Sequence, residues 1–118
     1  MSEGKKSILH VEDNEEIQQY ISTLLADLAD ITSAKTLKEA QALVSNHHYN
    51  LILVDFTLPD GSGSELINQM AKQNPSIPVI VFSSHEISNT MVNVKHIFIK
   101  RRFSPQILHD TVAKYIQN

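Results

Sequence analysis

The chain has 118 residues, 42% of them hydrophobic, a formal net charge of −3 and no cysteine. That length supports a single domain over residues 1–118 with one core, and the acidic balance argues against a nonspecific nucleic-acid binder. The missing cysteines exclude disulfides, thiolate metal sites and a cysteine nucleophile, and fit a reducing compartment.

The start, MSEGKKS, leads into only Ile8 to Val11 before Glu12, which is no signal-peptide pattern. No apolar run approaches the roughly 18 to 20 residues of a membrane span, so a soluble cytoplasmic protein is expected. Residues 7–11, SILHV, read as a first strand ending on Glu12 and Asp13. Asn14 to Ala29 reads as a helix, because Ile17, Tyr20, Ile21, Leu24, Leu25 and Leu28 recur at the spacing of one buried face. Asp30 to Ala34 is a second strand candidate. Thr36-Leu-Lys-Glu39 has capping-box form and opens a second helix to about Asn46.

Asn50 to Gly63, NLILVDFTLPDGSG, is the stretch on which the rest depends. Leu51 to Val54 run straight into Asp55, the pattern of a strand buried on both faces. Pro59, Gly61 and Gly63 then supply a turn. Ser62 or Ser64 caps a third helix with Leu66, Ile67 and Met70 inward, ended by Asn74-Pro75. Pro78 to Phe82 is a fourth buried strand that ends on Ser83 and Ser84. His85 to Lys95 is weakly patterned and leaves room for a brief helix. His96 to Lys100 is a fifth strand. Ser104-Pro105 opens a last helix burying Leu108, Val112, Tyr115 and Ile116. Strands alternating with helices predict an α/β fold, a doubly wound five-stranded parallel sheet with helices on both faces.

In such a sheet, chemistry collects at the carboxyl ends of the strands. Those ends carry Glu12 and Asp13, Asp55, and Ser83. Carboxylates about 4 Å apart repel by roughly 4 kcal/mol per pair at an effective dielectric near 20, so they take up protons or bind a cation. An all-oxygen donor set suits a hard ion such as Mg²⁺. With that charge beside it, Asp55 suits nucleophilic attack on a phosphoryl group, giving an aspartyl phosphate. Ser83 offers a hydroxyl donor, and Lys100-Arg101-Arg102 offer a cation.

These stretches together resemble the response-regulator receiver domain of two-component phosphorelays, over Ser7 to Gln117. ILHVEDN resembles the family's first strand with its acidic pair. LILVDFTLPDGSG resembles the phosphoacceptor strand and loop, PVIVFSS the strand ending in the hydroxyl residue, and FSPQIL the start of the last helix. The resemblance implies a (βα)5 flavodoxin-like fold with a short fourth helix. It implies that Asp55 is the phosphoacceptor, and that Glu12, Asp13, Asp55 and the backbone carbonyl of Thr57 hold Mg²⁺. It further implies that Ser83 and Lys100 (or Arg101) contact the phosphoryl group, and that Phe98 is the aromatic switch of the fifth strand. The donor would be a histidine kinase or a histidine phosphotransfer protein. The output would be an unidentified downstream protein or a homodimer, with no nucleic acid and no membrane. Self-phosphorylation and slow autodephosphorylation would be its only enzyme-like activities.

Two departures stand out. The family has Lys-Pro after the fifth strand, whereas this chain reads Lys100-Arg101-Arg102-Phe103. Aligning on Phe98 makes Arg101 the equivalent of the lysine, and aligning on residue type makes it Lys100. The stretch from Ser83 to Lys100 is also short, which predicts an unusual partner face over residues 87–95. The alternative reading is a degenerate receiver acting as a phosphorylation-independent scaffold. A haloacid-dehalogenase-like phosphatase wants a second aspartate where Thr57 stands. A flavodoxin-like carrier wants a phosphate loop where this chain has EDNEE.

Overall fold

The computed structural model describes residues 6–88 and 91–116. Five strands, β1 (Lys6–Val11), β2 (Ala29–Ala34), β3 (Leu51–Asp55), β4 (Val79–Ser83) and β5 (Val94–Ile99), form one sheet. All neighbours are parallel and the spatial order is β2-β1-β3-β4-β5. The described residues contain four α-helices, α1 (Glu15–Leu24), α2 (Leu37–Asn46), α3 (Gly63–Gln73) and α4 (Pro105–Ile116). None is long and apolar enough to cross a membrane.

The continuous apolar run of β3 has a direct cause. All five of its residues are buried because helices cover both faces. Ile52 and Val54 enter one layer with residues of α2 and α3, while Leu51 and Leu53 enter the other with residues of α1 and α4. Each fully buried Leu or Ile contributes about 1.5–3 kcal/mol. Register then fixes the carboxyl edge. Val11 pairs with Val54, and Asp55 pairs with Phe82, so β1, β3 and β4 end side by side. Helix starts follow local capping. Asn14 accepts from the Ile17 N–H, Thr36 from Glu39, and Ser62 from Ser64.

Three expectations need correction. The first helix ends at Leu24, not Ala29. Turns with Leu28 N–H donating to Leu25 O carry the chain into β2, whose pairing with β1 starts at Ala29. Ile17 and Tyr20, expected to be buried, are 40% and 47% exposed, although Ile21 and Leu25 are buried as expected. The short fourth helix is not found among the described residues between β4 and β5, residues 89 and 90 lying outside them, as does Gln117. Distance explains this. β5 begins at Val94, two residues earlier than expected, which leaves ten residues for the return crossover. The six residues of β5 advance about 20 Å. A helix using all ten connecting residues would advance only about 15 Å and leave none for turns. The segment instead tucks Ile87 and Met91 against the α2–α3 layer.

Candidate functional site

Asp55 ends β3 and is 3% exposed. Its Oδ1 accepts from the Thr57 N–H at 3.2 Å, and its Oδ2 accepts from Lys100 Nζ at 2.6 Å. Glu12, just past β1, is equally buried, and its Oε2 accepts from the Asn14 N–H at 3.1 Å. Asp13 beside it is exposed. One carboxylate oxygen from each of Glu12, Asp13 and Asp55 lies within 4.8 Å of the others. The three expected carboxylates therefore converge.

The electrostatics show what this costs. Burial, reinforced by the Asp55 charge and opposed by the Asn14 hydrogen bond, pushes Glu12 up to about 7. Lys100 is half-buried, which works against its charge. Its hydrogen bond to Asp55 and the surrounding carboxylates outweigh that burial and raise its pKa. One cation thus faces three carboxyl groups. The donor set is hard oxygen throughout, with a protonatable member held close to neutrality, which fits a divalent ion such as Mg²⁺.

Between the two basic candidates, Lys100 makes the contact with Asp55 and Arg101 is exposed. Arg102 pairs with Glu86 at the surface, at 3.1 Å. Ser83 is 4% exposed at the end of β4. Its hydroxyl donates to His85 O at 2.6 Å and accepts from the His85 N–H at 3.2 Å.

Phe98 does not stand where an aromatic partner of Ser83 would. In β4, Val79 and Val81 enter the α2–α3 layer, while Ile80 and Phe82 enter the α1–α4 layer. Alternation puts Ser83 on the α2–α3 side. Phe98 is paired with Phe82, stacks on it at 5.8 Å between ring centroids, and lies in the α1–α4 layer. It is 4% exposed and packed against Phe103 as well. Ile97, which packs against the α2–α3 layer, stands on Ser83's face. Lys100 in contact with Asp55 and Phe98 on the face away from Ser83 therefore follow different registers of the fifth strand.

Sequence reasoning passed over two supports of the site. A Cβ on Gly63 would lie 2.4 Å from Asp55 O, so the start of α3 rests directly on the backbone of Asp55. The sequence alone marks Gly63 only as a turn residue. Asp60 is not singled out by the sequence, but its carboxylate accepts from the Leu37 and Lys38 N–H groups at 2.7 and 3.0 Å. No local signal marks a partner 23 residues upstream. His10, 1% exposed beneath the site, is held down at about 4 by burial and by Lys100.

A family model described as the response regulator receiver domain matches residues 8–113. The response regulator protein PilR of Pseudomonas aeruginosa is 29% identical over 90 residues, covering 75% of this chain and 20% of PilR. The sensor protein TorS of Escherichia coli is 32% identical over 116 residues, covering 93% of this chain and 13% of TorS. The chain thus spans a fifth or less of the length of these two relatives. Among solved structures, a CheY-like receiver domain protein from Methanospirillum hungatei superposes with a TM-score of 0.88 at 24% identity, covering 96% of this chain and 94% of that one. TrrA of Thermotoga maritima, solved with Mg²⁺ and BeF, gives 0.83 at 23%, covering 93% and 98%. These two likenesses carry the fold.

Proposed function

The chain belongs to the response regulator receiver domain family, and on that premise we propose that it accepts a phosphoryl group on Asp55 and uses the resulting charge to switch a protein-binding face. The observation that supports this most is the convergence of Glu12, Asp13 and Asp55 within 4.8 Å, with Lys100 Nζ 2.6 Å from Asp55. The donor is a phosphohistidine on a histidine kinase or a phosphotransfer protein. An Asp55 carboxylate oxygen attacks phosphorus, the phosphorus–nitrogen bond breaks, and its electron pair stays on the donor imidazole. The carboxylate is a competent nucleophile without any general base.

Glu12, Asp13, Asp55 and the Thr57 carbonyl would hold the metal. Mg²⁺ held there would supply neutralising charge to the phosphoryl oxygens. Lys100 moves its hydrogen bond from Asp55 Oδ2 to a phosphoryl oxygen. Ser83 turns its hydroxyl from His85 O to another, which releases the turn after β4. Phe98, across the sheet, is not placed to fill the space a departing Ser83 leaves, so the signal is expected to pass through the turn and the segment beyond it. The partner surface is accordingly expected over residues 87–95, where Val92 is 79% exposed. Donor docking is expected on the opposite side of the cleft, where Ile17 and Tyr20 present apolar surface beside Phe103. The chain is a phosphoacceptor module of the cytoplasm, with at most slow loss of its own phosphoryl group.

Incubation with acetyl phosphate, with and without Mg²⁺, followed by intact mass, tests the reading. A single Mg²⁺-dependent phosphoryl adduct, lost in Asp55→Asn, is expected. No adduct under any condition would overturn it and leave the phosphorylation-independent scaffold.

A further inference from the structure

The two acidic loops of the site are not independent. Both are fastened to the same short connector, Ala34 to Lys38, which joins the last residue of β2 to the first turn of α2. On one side, the Glu12 N–H donates to Ala34 O at 2.8 Å. On the other, Asp60 accepts from the Leu37 and Lys38 N–H groups at 2.7 and 3.0 Å. The connector itself is anchored, with Ala34 fully buried and Leu37 4% exposed. Thr36 between them caps α2 by accepting from the Glu39 N–H.

The Asp60 loop is stiff enough to transmit this anchor. Thr57 pairs with Ser62 and Leu58 with Gly61, which closes the loop on itself. The Gly63 N–H donates to Phe56 O at 2.7 Å at its base. Gly61 adopts φ +155°, and a Cβ there would meet Leu37 and Glu65 at 3.0 Å. The backbone at the loop tip is therefore shaped to bring Asp60 onto the α2 N-terminus, where the exposed N–H groups and the helix dipole favour a carboxylate. Moving that tip moves Thr57, whose N–H binds Asp55.

We infer that Asp60 is a positioning residue for the metal site: it clamps the Asp55–Thr57 loop to the connector that also holds Glu12, and so sets the spacing of the two acidic loops. The inference rests on the proposed metal-dependent phosphoacceptor function and assigns it a residue that touches neither ion nor phosphoryl group. Groups that orient metal ligands typically change metal affinity 10- to 100-fold when altered. The plain alternative is a helix cap that stabilises α2 and nothing more.

Mg²⁺ affinity by calorimetry separates the two, using the full chain, Asp60→Ala, Asp60→Asn, Thr36→Ala and Asp13→Asn. Asp60 is exposed, so its variants are expected to fold. Asp60→Ala should weaken Mg²⁺ binding about tenfold. Asp60→Asn, which keeps one acceptor oxygen, should weaken it less. Thr36→Ala removes a cap from the same helix end and should lower thermal stability while leaving Mg²⁺ affinity within about twofold. Equal affinity in Asp60→Ala and the parent, or equal loss in Thr36→Ala, would overturn the clamp. A parent chain that binds no Mg²⁺, or an Asp13→Asn variant that binds as well as the parent, would overturn the metal-site reading itself and the clamp with it.

Discussion

The exits of β3 and β4 lie next to each other at the same sheet edge and are built differently. At the β3 exit, Asp55 is bonded on both oxygens, the loop after it is closed by a ladder, and Gly63 packs against its carbonyl. At the β4 exit, the Ser83 carbonyl accepts from the Lys100 N–H at 2.9 Å, while among the described residues its hydroxyl bonds only to the turn that follows it. Among the described residues no helix follows before β5, and Phe82 and Phe98 lie across the sheet while Phe56 packs against the α2–α3 layer. The Asp55 side is over-determined, while the turn after Ser83 is fastened by that hydroxyl, by the surface ion pair of Glu86 with Arg102 and by the packing of Ile87. The comparison teaches that phosphoacceptor chemistry needs a few residues at strand ends, which the sheet register supplies. On the proposed function the output passes through the β4–β5 crossover, which has only ten residues.

The largest effect should come from Gly63→Ala. Its Cβ meets backbone that cannot rotate away, so chemical denaturation should show a loss of about 3 kcal/mol, with Asp55 displaced. A near-neutral result would break the claim that the Asp55 side is over-determined. Lys100→Ala should slow phosphoryl uptake by about 10²-fold, the usual cost of losing one charged oxyanion contact. Arg101→Ala should change it less than about twofold by the same reasoning, since Arg101 is exposed. Equal effects in the two variants would undo the register argument.

Acid–base linkage offers a third comparison. Glu12 is pushed up from its usual 4.5 to about 7 in the metal-free protein. A carboxyl group whose folded pKa is raised stabilises the fold while protonated. That stability is present below about 4.5 and is lost as pH rises through about 7. The metal-free protein should lose on the order of 2 kcal/mol across that window, and Glu12→Gln should flatten the slope. Mg²⁺ binding should tighten over the same window as Glu12 deprotonates. The smallest effect is expected on the switching side. Phe98→Leu should cost less than about 1.5 kcal/mol of stability and leave the phosphorylation response intact, whereas alanine substitutions along residues 87–95 should impair partner binding. A Phe98→Leu protein that takes up phosphate but no longer signals would restore Phe98 as the switch.

Most of the framework was legible because buried parallel strands and helix caps write themselves locally. The run Leu51 to Val54, the Thr36 and Ser62 caps and the carboxylates at strand ends needed no tertiary knowledge. What failed required it. The spacing of Ile17 and Tyr20 matches Ile21 and Leu25, and periodicity alone does not distinguish a core stripe from an exposed one. Lys100 and Arg101 differ by one residue, which reverses a side chain's face, and only pairing with β4 fixes that parity. The fourth helix was expected by resemblance, while the early start of β5 removed the length it needed. Asp60 was invisible because its partners lie in another element.

Locating the phosphoryl group on the chain tests the central claim most directly. The protein would be treated with acetyl phosphate and Mg²⁺, the acyl phosphate reduced with borohydride, and the modified residue found by peptide mass mapping. The account predicts one reduced residue, Asp55, and none without Mg²⁺. Modification at Glu12 or Asp13 instead, or none anywhere, would contradict it.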